Sequence, residues 1–177
     1  MALIKSSLEI ALERAEAMMG RVEDTAKEEG RKHGQAAARR FLSGDVDGAA
    51  MAELLAARPE EQRRPALAAA LEHFVEALLN GDDLAVDGLA ALPLDRAKDK
   101  LAALITAARG RFQAAGQLYA DLAAVMADDL ARMGIGGSAV LPNPLSLPDL
   151  ELRTQKALAP HLQAVQEAAQ ALQRAVA

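Results

Sequence analysis

Residues 95–133 read DRAKDKLAALITAARGRFQAAGQLYADLAAVMADDLARM, and this stretch decides the fold class. Ala97, Leu101, Leu104, Ala108, Phe112, Ala115, Tyr119, Leu122, Met126, Leu130 and Met133 recur at an average step of about 3.6. That is the period of one helix face, whereas a half-buried strand alternates every second residue. Unbroken, the helix is about 58 Å long at ~1.5 Å per residue. Gly110 and Gly116 mark either a kink or a close helix crossing. A crossing suits Gly116, Ala120 and Ala124, which are small residues at four-residue spacing.

The same period recurs on both sides. Ile4, Leu8, Ala11, Ala15, Met18 and Val22 form a stripe widened by Leu12, Met19 and Ala26, with Glu9, Glu13, Glu16 and Glu23 opposite. Ser6 and Glu9 have capping-box spacing. The stripe fades across Lys27–Gln35, which holds Gly30 and Gly34, and each Gly inside a helix costs roughly 1 kcal/mol against Ala. A frayed segment or hinge is expected there, followed by a shorter helix over about 35–42. A helix over about 47–57 follows Ser43-Gly44-Asp45 and ends before Pro59. Leu67, Leu71, Phe74, Val75, Leu78 and Leu79 define a helix over about 65–80, with Pro65 in its first turn and Asn80-Gly81 as its C-cap. A short helix over 84–91 precedes Pro93.

Gly134–Pro148 cannot be helical throughout. Extended at ~3.3 Å per residue it reaches roughly 50 Å. It is long enough to run back along the long helix and set the last helix parallel to it. That last helix, over about 149–176 with a break at Pro160 possible, carries the ladder Leu158, Leu162, Val165, Ala169, Leu172 and Val176. Phe41-Leu42-Ser43-Gly44-Asp45 echoes Leu78-Leu79-Asn80-Gly81-Asp82; two copies of a helix-loop-helix unit or chance would each explain it.

The sum is an all-α, multi-helix bundle of about five to six helices. It is read as one domain over residues 1–177, with 1–30 a semi-independent N-terminal helix and one long central helix over about 95–133. Only Phe41, Phe74, Phe112 and Tyr119 carry rings, so the core is expected to be aliphatic, with Leu providing burial and Ala setting the spacing.

Composition narrows function by exclusion. A net charge of −5 and 2% aromatics leave neither the basic face nor the stacking rings that nucleic-acid binding needs. No apolar run approaches the roughly 20 residues of a membrane span. The first residues lack a basic region followed by an apolar one, so no signal peptide is read. The absence of Cys fits a reducing cytoplasm.

Ile4-Lys5-Ser6-Ser7-Leu8-Glu9-Ile10-Ala11-Leu12-Glu13-Arg14 resembles the opening of an uncharacterised family of small bacterial all-helical proteins of unknown function. The resemblance implies a helical fold. It carries no activity, cofactor or functional residue with it.

The chemistry-bearing residues complete no signature. Di-metal bundles need Glu-x-x-His pairs, and no acid stands three residues before His33, His73 or His161. Glu72, His73 and Glu76 come nearest, and His73 flanking a buried face with solvated acids explains them better. Asp45, Asp47 and Gly48 match part of a calcium loop, but its twelfth position is Leu54, with Glu53 out of register. Gly134–Ser138 lacks the Lys of a phosphate loop. Arg31, Lys32, His33, Arg39 and Arg40, with Arg58, Arg63 and Arg64, adjoin Glu28, Glu29, Glu60 and Glu61, which reads as a solvated, ion-paired face. No catalytic, metal or cofactor residue is assigned.

The expectation is a non-enzymatic helical interaction or scaffold protein, cytoplasmic and self-associating or bound to another protein. Ile4, Leu8, Leu12, Met18, Met19 and Val22 form the candidate interface, with no nucleic acid and no membrane insertion. The alternative is a bundle that binds a small apolar ligand.

Overall fold

A computed structural model describes residues 7–137 and 140–176. Among these the protein is all-α, with six α-helices in the order α1 (Ser7–Leu42), α2 (Gly48–Ala56), α3 (Glu60–Asn80), α4 (Leu84–Ala90), α5 (Lys98–Arg132) and α6 (Leu150–Val176). A 3-10 turn over Asp95–Ala97 leads into α5, and another over Pro144–Ser146 lies in the loop before α6. The 95–133 stripe is therefore one long helix with a tighter first turn.

The hinge expected at 27–35 is absent, because α1 runs unbroken through it. Its glycines are there for contact. A Cβ at Gly34 would stand 2.0 Å from the Ala66 carbonyl oxygen, and one at Gly30 would stand 2.5 Å from that of Gln62. Both lie far inside van der Waals range, so α1 and α3 touch backbone to backbone along this line. Ala37, Ala38, Ala66, Ala69 and Ala70, all buried, continue the close-packed surface. The polar residues that hid the stripe from a periodicity reading sit on the outward faces of the same turns.

The pairing runs in one direction. Gly30 meets Gln62, Gly34 meets Ala66, and the rings of Phe41 and Phe74 meet edge to face at 5.7 Å. Both residue numbers rise together, so α1 and α3 are parallel, and α2 carries the chain back between them. The next step repeats the plan. α3 ends at Gly81 with φ +95°, as the Asn80-Gly81 signal implies, and α4 returns the chain to Pro93. Leu94–Ala97 then lie beside Arg63, Arg64 and Leu67 near the start of α3. Further on, the Arg111 guanidinium donates to the carbonyls of Leu78 and Leu79 at the end of α3. So α5 is parallel to α3 as well. The 41–45 and 78–82 echo thus marks the two equivalent corners, where Gly44 and Gly81 both take positive φ.

α6 is antiparallel to α5, not parallel. Its last residues, Ala175 and Val176, lie beside Leu94–Ala97, and the Val176 carbonyl accepts from Arg64 Nε at 3.2 Å. The loop before it turns at the far end of α5, which Gly134 closes with φ +76°. Pro160 sits inside α6 without breaking it.

Two further boundaries differ from the periodicity reading. α3 starts at Glu60 and not at Pro65, because its exposed first turn is polar and Pro65 falls in the second turn. Gly110 and Gly116 mark no crossing, since nothing lies within 4 Å of where their Cβ atoms would be. The core is aliphatic around a single fully buried ring, with Phe41 and Phe112 packed against it. Phe74 is fully buried among Met51, Leu55, Leu71, Leu78, Leu89 and Leu104. Gly88 of α4 makes room for it, as a Cβ there would stand 2.3 Å from the ring.

Candidate functional site

The parallel pairing leaves part of α1 without a neighbour from α3. Gly30 is level with Gln62, so the start of α3 at Glu60 is level with about residue 28. Residues 7–27 of α1 run on past it for about 30 Å at ~1.5 Å per residue. On this arm, residues 18–20 and 23–25 are all exposed, although they cover every side of the helix. Gly20 has nothing within 4 Å of its Cβ position.

Of the six candidate interface residues, Ile4 lies outside the described residues. Leu8, Leu12 and Val22 lie on the helical backbone of the arm. Met18 and Met19 are 70% and 66% exposed. With Ala26, Glu23, Lys27 and Glu61 they line an open, mainly apolar groove of about 560 Å³ at the root of the arm. Glu61 comes from α3 and no sequence reading placed it there, because the parallel register of α1 and α3 is not visible in spacing.

A second exposed apolar region lies at the opposite end. Ile135, Leu141, Leu145 and Leu152 are exposed around the α5–α6 turn. Within the loop between these helices, Pro144–Ser146 packs against both of them.

The polar residues weighed for chemistry have structural roles. Asp47 accepts from the Ala50 backbone N–H at 2.7 Å and caps α2, while Asp45 accepts from Ser43 Oγ. Glu72 pairs with Arg31 at 3.2 Å, and His73 Nδ1 is 3.9 Å from the exposed carboxylate of Glu76. Among the described residues no group of three His, Asp or Glu side chains is placed to hold a metal ion. The basic cluster is interleaved with acids as the pattern implied. Lys32 and Glu28 are 2.6 Å apart, and Gln62 donates to Glu29. Their hydrogen bond holds the Glu28 carboxyl below its ordinary pKa and the Lys32 ammonium above its own.

No family model, curated protein or solved structure matches this chain. Among the described residues no helix is long and apolar enough to cross a membrane.

Proposed function

We propose that the protein is a non-enzymatic helical interaction or scaffold protein that self-associates through the α1 arm. The observation that carries this reading is the pair Met18 and Met19, solvent-exposed on a helix that outruns its intrachain partner. Covering them with a second apolar surface removes area from water at roughly 25 cal/mol per Å². Met also adapts to an opposing surface more readily than other apolar residues. The reading places the protein in the cytoplasm, which its lack of Cys supports. The resemblance of residues 4–14 to an uncharacterised helical family adds no activity to it. The alternative of a bundle that binds a small apolar ligand draws no support from the groove at the root of the arm, which opens to solvent.

Sedimentation velocity on the full chain tests the reading. The wild type is expected to associate at micromolar concentration, and Met18→Glu/Met19→Glu is expected to sediment as a monomer with unchanged helix content. A wild type that stays monomeric at that concentration overturns self-association.

A further inference from the structure

The arm and the bundle end it springs from differ in charge. At that end a cleft of about 580 Å³ opens between the start of α3, the 93–97 link and the end of α6. Arg63, Arg64 and Arg96 rim it above Leu67 and Leu94, against two acids, Glu60 and Asp95. Arg96 makes no ion pair or hydrogen bond among the described residues. Residues 7–27 of the arm carry the opposite balance, five acids against three bases. Of these, Glu23 and Asp24 are exposed. Arm and cleft lie on opposite sides of α3. Its Gln62 and Ala66 turn to α1, and Arg63, Arg64 and Leu67 turn the other way, to the cleft. An arm that also points away from its own bundle cannot reach its own cleft.

We infer that two copies clasp each other about a two-fold axis, the arm of each lying across the arginine-rimmed cleft of the other. This rests on the self-association proposed above and adds the surface that the arm meets. A half turn about an axis perpendicular to the helices exchanges the two sides of α3, so each arm runs past the second copy's cleft. The lengths agree. Met19 stands nine positions, about 13 Å, beyond the level of Glu60, and residues 63–67 of the cleft lie three to seven positions, about 5–10 Å, inside it. Two bundle ends that meet across about 5 Å therefore set Met19 over Leu67 and Leu94 of the second copy. Glu23 lies four positions on, on the same helix face, and comes within one turn of Arg63 and Arg96. Lys27 stays beside Glu61 of its own chain. The contact is isologous, so it closes at two copies and each favourable pair occurs twice.

The native chain has no Cys, so single cysteines report the contact directly. Met19→Cys and Asp95→Cys, both at exposed positions, are made in separate full-length chains and treated with a short bis-maleimide. The equimolar mixture is expected to yield a covalent dimer. Each variant alone is expected to stay single, because the two positions 19 lie about 22 Å apart along the clasp and the two positions 95 about 15 Å. Charge reversal gives an independent reading. Glu23→Arg and Arg96→Glu are each expected to weaken self-association roughly 10-fold, as two exposed pairs turn repulsive. Mixed one to one, the two variants are expected to associate at wild-type strength, since every Arg again meets a Glu. Sedimentation of the wild type is expected to stop at a dimer. A wild type that grows past the dimer overturns the clasp. So does a wild-type dimer whose cysteine mixture does not cross-link, or whose charge reversals leave association unchanged or fail to rescue each other; self-association then stands. A wild type that is monomeric overturns both.

Discussion

Gly34→Ala tests the α1–α3 contact, because two physical arguments give it opposite signs. If residues 27–35 were a solvated helix or a hinge, Ala would stabilise α1 by roughly 1 kcal/mol through helix propensity. The structure puts the new Cβ 2.0 Å from the Ala66 carbonyl oxygen, 2.7 Å from its carbon and 2.9 Å from its Cα. Ordinary contact begins near 3.4 Å, so relief needs a local separation of about 1.4 Å, the difference from 2.0 Å. No rotamer supplies it, because all three opposing atoms are backbone. A radial gap of ~0.5–1 Å already forfeits a quarter to a half of each dispersion contact along the seam. Overpacking typically costs about 1–3 kcal/mol, and a backbone clash belongs at the upper end. Set against the propensity gain, the expected net loss is about 2 kcal/mol, or a Tm lower by about 4–8 °C. Urea denaturation followed by circular dichroism reads it, at one protein concentration because association raises apparent stability. Gly110→Ala and Gly116→Ala have open space at the Cβ position and are expected to be neutral or stabilising by up to ~1 kcal/mol. A Gly34→Ala protein as stable as the wild type would refute the backbone contact.

Three further outcomes follow from the same geometry. Gly88→Ala is expected to destabilise by about 1–3 kcal/mol by driving a Cβ into the Phe74 ring, and Phe74→Leu in the same chain is expected to recover part of that loss, since here the opposing group is a side chain; equilibrium unfolding of the two singles and the double checks it. Asp47→Ala removes the α2 cap and is expected to cost about 1 kcal/mol, whereas Asp47→Asn retains most of it, read by the denaturation midpoint. The Glu28–Lys32 pair contributes above the ordinary Glu range, because the carboxyl pKa is lowered on folding; that part is lost as pH falls through the folded value. The raised Lys32 pKa makes its part disappear as pH rises through the ammonium's folded value. Both groups are exposed, so Lys32→Gln is expected to leave Tm at pH 7 unchanged within about 1 °C, checked by thermal melts.

Much of the fold is legible in the sequence, and the rest fails for identifiable reasons. The stripes of α3, α5 and α6 and the caps at Gly81 and Gly134 can be read directly, because period and left-handed glycine are local properties. Gly30 and Gly34 mislead. Propensity sees only what a glycine costs its own helix, and the compensating neighbour, Ala66, is far away in the chain. Gly110 and Gly116 mislead in the opposite sense, since a small residue permits a crossing without requiring one. The direction of α6 is hidden because loop length bounds reach and not destination. Of the candidate interface, Met18 and Met19 are exposed, and Ile4 lies outside the described residues. Glu61 was invisible because its place beside Lys27 depends on the parallel register.

Parallel alignment also governs the order in which contacts can form. A helical hairpin can close from its turn outward, each step bringing the next residues together. α1 and α3 have no such start, because Gly34 and Ala66 stand thirty-two positions apart and the segment between them must first fold back. That closure spends chain entropy before any seam contact compensates it. Until α3 arrives, the middle of α1 is a glycine-containing helix with little to hold it. The seam is therefore expected to form late and all at once, making α1 the last long helix to become stable during refolding.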